Sequence, residues 1–254
     1  MEQREAHLEH LEESPHFLPS VSIDCVVFGF HDHELKVLLV RFRNTELWAL
    51  PGGYIYLEED MDAAAHRILE EKIGMKNVYL EQFHTFGQRH RVEESVQRVI
   101  VSAIGKNLAP GHWITKRFVS VGYYALVEFS QVMPTPDGSS DVCEWHNLDK
   151  MPALVFDHSH IVQKALDTLR FRLSKSLIGP NLLPDTFTMQ ELQSLYETIL
   201  GKKLIRANFQ RKMLGLGILE RVEKKFSGAA HKAPYLYRFN VGKEEEGVFW
   251  DVFF

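Results

Sequence analysis

The segment Gly52–Met75, GGYIYLEEDMDAAAHRILEEKIGM, constrains this chain more than any other stretch. Met61, Ala64, Ala65, Ile68 and Leu69 recur in it at helical spacing, which predicts a helix from about Leu57 to Ile73 with Gly74 as its stop. Strands flank it. Val21–Phe30 and Leu35–Phe42, joined by the polar turn His31–Glu34, read as a hairpin, and Asn77–Phe83 and Val119–Phe129 read as further strands. Asp157 is placed to cap a helix running to about Lys175. Strands and helices in this mixed order predict an α+β fold with helices packed on a mixed sheet. A chain of 254 residues is long enough for two domains.

No window approaches the roughly 18 apolar residues of a membrane span. The acidic start MEQREAHLEHLEESPHF is unlike a secretory signal, so a cytoplasmic protein with no membrane contact is expected. Cys25 and Cys143 lie in strand-like sequence without metal-ligand spacing, and buried thiols are expected.

Charge divides the chain at the Gly/Pro/Asn-rich segment Ile178–Pro184. Residues 1–179 hold 18 Lys and Arg against 25 Asp and Glu, residues 180–241 hold 10 against 5, and residues 242–254 hold 1 against 4. The middle segment alone is basic, as suits a domain that binds a polyanion. Within it, Thr188-Met-Gln-Glu191 matches a capping box, and Leu192, Leu195, Tyr196 and Ile199 form the apolar face of the helix that follows. Gly201 ends that helix. Ile205–Gly217 then reads as a second helix with apolar Ile205, Phe209, Met213 and Leu214, giving helix-turn-helix spacing. Ile218–Phe226 and Ala233–Phe239 form a hairpin, or wing. Arg206, Asn208, Arg211 and Lys212 are the residue types that read base edges and grip phosphates, with Lys224, Lys225 and Lys232 of the wing as phosphate contacts. For His231 and Lys232 a solvated loop tip is an equal alternative.

Gly53, Glu59, Arg67, Leu69, Glu71, Gly74 and Met75 match the Nudix box in register, and WALPGG (Trp48–Gly53) before it is also typical of that family. The resemblance implies a loop and helix that present carboxylates to a divalent metal and a diphosphate. Here the chemistry is damaged. Ile68 and Lys72 stand where the family has Glu, and Lys72 puts a cation where the metal belongs. Glu70 lies about 100° round the helix for each residue of slip and does not substitute. Glu59, Arg67 and Glu71 are left to hold loop and helix together by ion pairing. No metal, no cofactor and no catalytic residue is therefore expected.

With both halves considered, the chain resembles the Nudix-related transcriptional regulators, in which an N-terminal Nudix-like sensor precedes a C-terminal winged helix. SIDCVVFGF, NVYLEQFHTFG, RFVSVGYYALV, MPALVFDH, FTMQELQSLYE and NFQRKM carry the likeness. The family includes repressors of NAD metabolism that sense ADP-ribose-like nucleotides, and arabinose-type regulators. It implies a Nudix-like α/β/α sandwich with a mixed sheet, followed by a winged helix-turn-helix. The expected organisation is a leader over 1–19, a sensor over 20–156, a connecting helix and winged helix over 157–241, and a tail over 242–254. The resemblance further implies a homodimer that binds a double-stranded DNA operator and a small-molecule effector, either a sugar or an ADP-ribose-like compound. Damage to the metal site favours the sugar. By analogy the effector pocket lies beside the Nudix loop, lined by Trp48, Gly52, Gly53, Glu59, Arg67 and Glu71 with Arg117; the alternative for Trp48 is core packing and for Arg67 an ion pair within the helix or to the loop. The alternative is a working hydrolase of nucleoside diphosphate compounds such as ADP-ribose. Gln88–Lys116 departs from the family as an insertion: lying on solvent is its default, and covering the pocket or extending a dimer surface are the alternatives.

Overall fold

The computed structural model describes residues 16–74, 76, 78–173, 179–224 and 233–240. It opens with the hairpin β1 (Phe17–His31) and β2 (Glu34–Phe42), so that β1 begins inside the segment read as a leader. The turn shrinks to Asp32 and His33, both at positive φ (51° and 62°), the backbone that a two-residue hairpin requires. β3 (Trp48–Ala49) and β4 (Gly52–Tyr56) lead into α1 (Met61–Ile73). This helix starts later than Leu57 because Glu59 bends back to accept the Tyr56 N–H at 3.2 Å. It stops at Gly74, whose φ of 68° lets its N–H reach the Glu70 carbonyl.

β5 (Tyr79–Phe86), α2 (Glu94–Ala103), β6 (Val119–Val127), β7 (Ser140–Asn147) and α3 (His158–Leu173) complete the first domain. Among the described residues the sheet runs β3-β2-β1-β6-β5, with β4 also on β1 and β7 on β2. β1 and β6 are parallel, with Val26 opposite Tyr124, and the other pairs are antiparallel, giving the expected mixed sheet. Alternation along β1 sorts its two faces. Ile23, Cys25 and Val27 pack with Ala64, Ile68 and Leu69 of α1, while Val26 and Phe28 pack with Ile161, Ala165 and Leu169 of α3. Each buried Ile or Leu contributes about 1.5–3 kcal/mol. Cys25 and Cys143 are buried and unbridged; burial raises both thiol pKa values, that of Cys143 to about 11. Among the described residues no helix is long and apolar enough to cross a membrane.

The second domain comprises β8 (Phe187–Thr188), α4 (Met189–Leu200), α5 (Arg206–Gly215), β9 (Leu219–Lys224) and β10 (Tyr235–Phe239). Thr188 and Glu191 form the capping box in both directions, at 3.2 and 2.6 Å. β10 lies between β8 and β9 as the wing. One expectation fails on α5. Phe209 and Met213 are buried, but Ile205 is the N-cap and 71% exposed, and Leu214 is 43% exposed. The helix is too short, and packed on too narrow a face, to bury all four. The sheet face under α3 runs without a break into Leu195, Tyr196 and Phe209 of the winged helix, so α3 belongs to both domains. Arg170 Nε of α3 donates to the Ile199 carbonyl at 2.8 Å, and Thr198 Oγ1 of α4 donates to the His33 carbonyl at 3.0 Å.

Candidate functional site

The box residues are held by one another. Arg67 of α1 donates through Nε and Nη2 to Glu59 at 2.7 and 2.8 Å, and through Nη2 to the Tyr54 carbonyl at 2.9 Å. Its Nη1 lies 3.5 Å from Glu71, and the guanidinium sits 4.4 Å from the centroid of Tyr56. Burial pushes the Glu71 pKa up, with Arg67 opposing it. Ile68 is buried and fills the space beside Gly53, where an added Cβ would stand 3.1 Å from its Cδ1. Lys72 turns inward and pairs with Asp137. Burial would raise the Asp137 carboxyl, but Lys72 and the hydroxyls of Ser139 and Ser140 outweigh it and hold the pKa far below the usual range. Glu70 is a surface residue 3.2 Å from Lys76. The donor set does not fit a divalent metal: a cation already bridges Glu59 and Glu71, and another occupies Asp137. Met75 lies outside the described residues.

A cavity of about 160 Å³ opens beside the inward-turned pair, with Lys72, Asp137 and Ser139 on its wall. Ile23 and Asp24 of β1, with Gly52 and Gly53 of β4, form its floor, and Phe156 and His158 border it beside α3. An added Cβ on Gly52 would come within 2.7 Å of the Ile23 carbonyl, so that floor requires glycine. The roof is the inserted segment, through Ile100, Val101, Ile104 and Ile114. The insertion thus covers a cavity instead of lying on solvent. It is anchored where Trp113 packs against Tyr54 at 5.0 Å and Phe118 at 5.9 Å, and where Gln97 Nε2 donates to the Tyr54 hydroxyl at 3.3 Å.

Of the residues expected around an effector, Gly52 and Gly53 line this cavity and the others do not. Glu59, Arg67 and Glu71 form the ion-paired cluster just described. Trp48 packs edge-on to His146 at 4.8 Å against the core, and exposed Arg117 donates to the Gly87 carbonyl at 2.6 Å. A buried polar group reaches the cavity instead. Arg91 donates to Asp157 at 2.7 and 3.0 Å and to Asp24 at 3.2 Å, and Ser120 Oγ donates to Asp24 at 2.5 Å. His158 Nδ1 accepts the Leu50 N–H at 3.0 Å and its Nε2 lies 3.5 Å from Asp24; burial lowers its pKa, leaving it neutral. One signal for this group was in the sequence: Asp24 interrupts an apolar strand, and a buried carboxylate needs partners.

On the second domain Arg206, Asn208 and Arg211 are exposed along α5, with Lys212 half-buried; Arg211 donates to Asn208 at 3.1 Å. Glu197, missed in the sequence, organises the turn before α5: it accepts from the Leu204 N–H at 2.9 Å and from Gln193 at 2.8 Å. Arg221 and Lys224 approach the Tyr235 ring at 4.4 and 5.5 Å, which places Lys224 at the base of the wing. Lys225, His231 and Lys232 lie outside the described residues.

The NUDIX domain family profile matches residues 18–165, and the profile of the NrtR DNA-binding winged helix domain matches residues 179–239. The chain is 32% identical over 243 residues to the ADPR responsive transcriptional repressor NtrR of Acinetobacter baylyi, covering 92% of this chain and 88% of that one. The crystal structure of Shewanella oneidensis NrtR complexed with a 27mer DNA is similar with a TM-score of 0.67 at 27% identity, covering 88% and 95% of the two chains. A MutT/nudix family protein of Enterococcus faecalis shares the fold at a TM-score of 0.59 and 21% identity, over 88% and 89%.

Proposed function

The chain belongs to the NUDIX family, in the group that joins this domain to an NrtR DNA-binding winged helix, and from that premise we propose that it is a ligand-responsive transcriptional regulator that senses its effector without hydrolysing it. The observation that carries this reading is the fate of the box. Its carboxylates neutralise Arg67, and the position of its last glutamate holds a lysine paired with Asp137, so the helix is a scaffold beside a covered cavity. Double-stranded DNA is the macromolecular ligand, supported by the exposed face of α5 and by likeness to a relative crystallised on DNA. Two copies would read a pseudo-palindrome with paired α5 helices.

The effector is an ADP-ribose-type nucleotide. This departs from the preference for a sugar that the damaged metal site suggests, because the Acinetobacter relative, alike over nearly the whole chain, is ADPR responsive. Regulation then follows by linkage, with effector and DNA favouring different placements of the winged helix. The test uses a duplex selected by the full-length protein from a random pool. ADP-ribose is expected to change affinity for it by a factor of about 5–150. Absence of that response would overturn the sensor reading. Mg-dependent turnover of ADP-ribose, lost in Glu71→Gln, would restore the hydrolase.

A further inference from the structure

One guanidinium joins three parts of this molecule. Arg91 comes from the inserted segment that roofs the cavity, and its side chain is 3% exposed. Both oxygens of Asp157 accept from it, and so does Asp24 on the central strand. Asp157 immediately precedes α3, and its carbonyl accepts the Ile161 N–H at 3.0 Å in the first turn of that helix. Arg91 lines the cavity, and among the described residues its Nη1 makes no hydrogen bond. The group holds two carboxylates against one cation, with His158 neutral, and Lys72, which also lines the cavity, is neutralised by Asp137, so an excess negative charge remains. Such a site disfavours a phosphate and suits an uncharged group that both donates and accepts, as ribose hydroxyls do.

Resting on the regulator reading above, we propose that Arg91 and Asp24 bind a hydroxyl-rich, uncharged part of the effector, and that this contact draws Arg91 away from Asp157 and loosens the start of α3. The rest of the route is packed structure. α3 shares its apolar cluster with α4 and α5, and Arg170 ties it to the end of α4. Loosening α3 therefore changes how α5 is presented.

The test compares the full-length wild type with Arg91→Ala, Arg91→Lys, Asp157→Asn and, as a control on the outer face of α2, Arg98→Ala. ADP-ribose affinity is measured by calorimetry and duplex affinity by anisotropy. Arg91→Ala should weaken ADP-ribose binding by about tenfold or more. Arg91→Lys should recover part of it, and inorganic pyrophosphate should not compete. Asp157→Asn should bind ADP-ribose within about threefold of the wild type, while its ratio of duplex affinities with and without ADP-ribose collapses to about one. Arg98→Ala should match the wild type throughout. Unchanged ADP-ribose affinity in Arg91→Ala, competition by pyrophosphate that Arg91→Ala abolishes, or a wild-type ratio in Asp157→Asn overturns the proposal. If the wild type ignores both ADP-ribose and DNA, the regulator reading fails. The latch is then judged by amide exchange, where Arg91→Ala must speed exchange at the start of α3 relative to β6, and equal exchange overturns it. Should Arg91→Ala not fold, Arg91→Lys carries the same measurements.

Discussion

The two domains use the same basic side chains in opposite ways. In the NUDIX half, Arg67, Lys72 and Arg91 turn inward, each against at least one carboxylate, with side chains 22%, 4% and 3% exposed. On α5, Arg206 and Arg211 stand on the surface, with a neutral Asn208 as the side-chain partner of Arg211. A buried cation without a counter-charge costs several kcal/mol, so the first set is bound to the fold. An exposed cation costs little to maintain and remains available to an outside polyanion. The contrast shows that a charge count alone does not separate cohesion from recognition; burial does.

The contrast predicts which property each substitution damages. The largest effect is expected from Lys72→Met, which strands the Asp137 carboxylate inside: a loss of about 3–5 kcal/mol in urea denaturation, with duplex affinity of the folded protein retained. Because the folded Asp137 pKa is depressed, its contribution is complete above the unfolded value of about 3.9 and is lost as pH falls through the folded one. The stability deficit of Lys72→Met should therefore narrow in acid below about pH 4. A deficit that stays constant into acid would deny Asp137 its role.

Next in size, joint Arg206→Ala and Arg211→Ala should cost about 2–4 kcal/mol of duplex affinity while stability stays within about 0.5 kcal/mol. A stability loss without an affinity loss would erase the contrast between the domains. Thr188→Ala removes one side of the capping box and should cost about 1 kcal/mol, seen first as faster amide exchange in α4. If α4 exchanges unchanged, β8 and the apolar face hold it without the cap. The smallest effect is expected for Lys224→Ala, which should lower the slope of log affinity against log salt by about one if the wing base contacts phosphate. An unchanged slope would confine recognition to α5.

Much of the architecture is legible in local sequence because periodicity and caps are local. The spacing Ala64, Ala65, Ile68, Leu69 foretells which side of α1 faces the sheet, and Thr188-x-x-Glu191 foretells the start of α4 to the residue. The pairing of Arg67 with Glu59 follows from the loop and helix lying side by side. The α5 face was less legible: Ile205 and Leu214 fit the helical period, yet period does not say how wide a face the neighbouring elements cover. The expected effector set was drawn from the box, and the structure divides it: Gly52 and Gly53 line the cavity that the insertion roofs, whereas Glu59, Arg67 and Glu71 form an ion-paired cluster outside its lining.

By itself, then, the sequence determined the order of strands and helices, the degenerate box at Ile68 and Lys72, and the basic helix-turn-helix, since each is written in residues within one or two turns of one another. Tertiary structure alone decided where Arg91 ends. In RHRVEES it reads as one more solvated surface residue, and its partners Asp24 and Asp157 are 67 and 66 positions away. Nothing in local propensity encodes a contact across that distance. It arises only when the insertion folds over the sheet end and excludes water, at which point two carboxylates left inside compel the nearest guanidinium to join them.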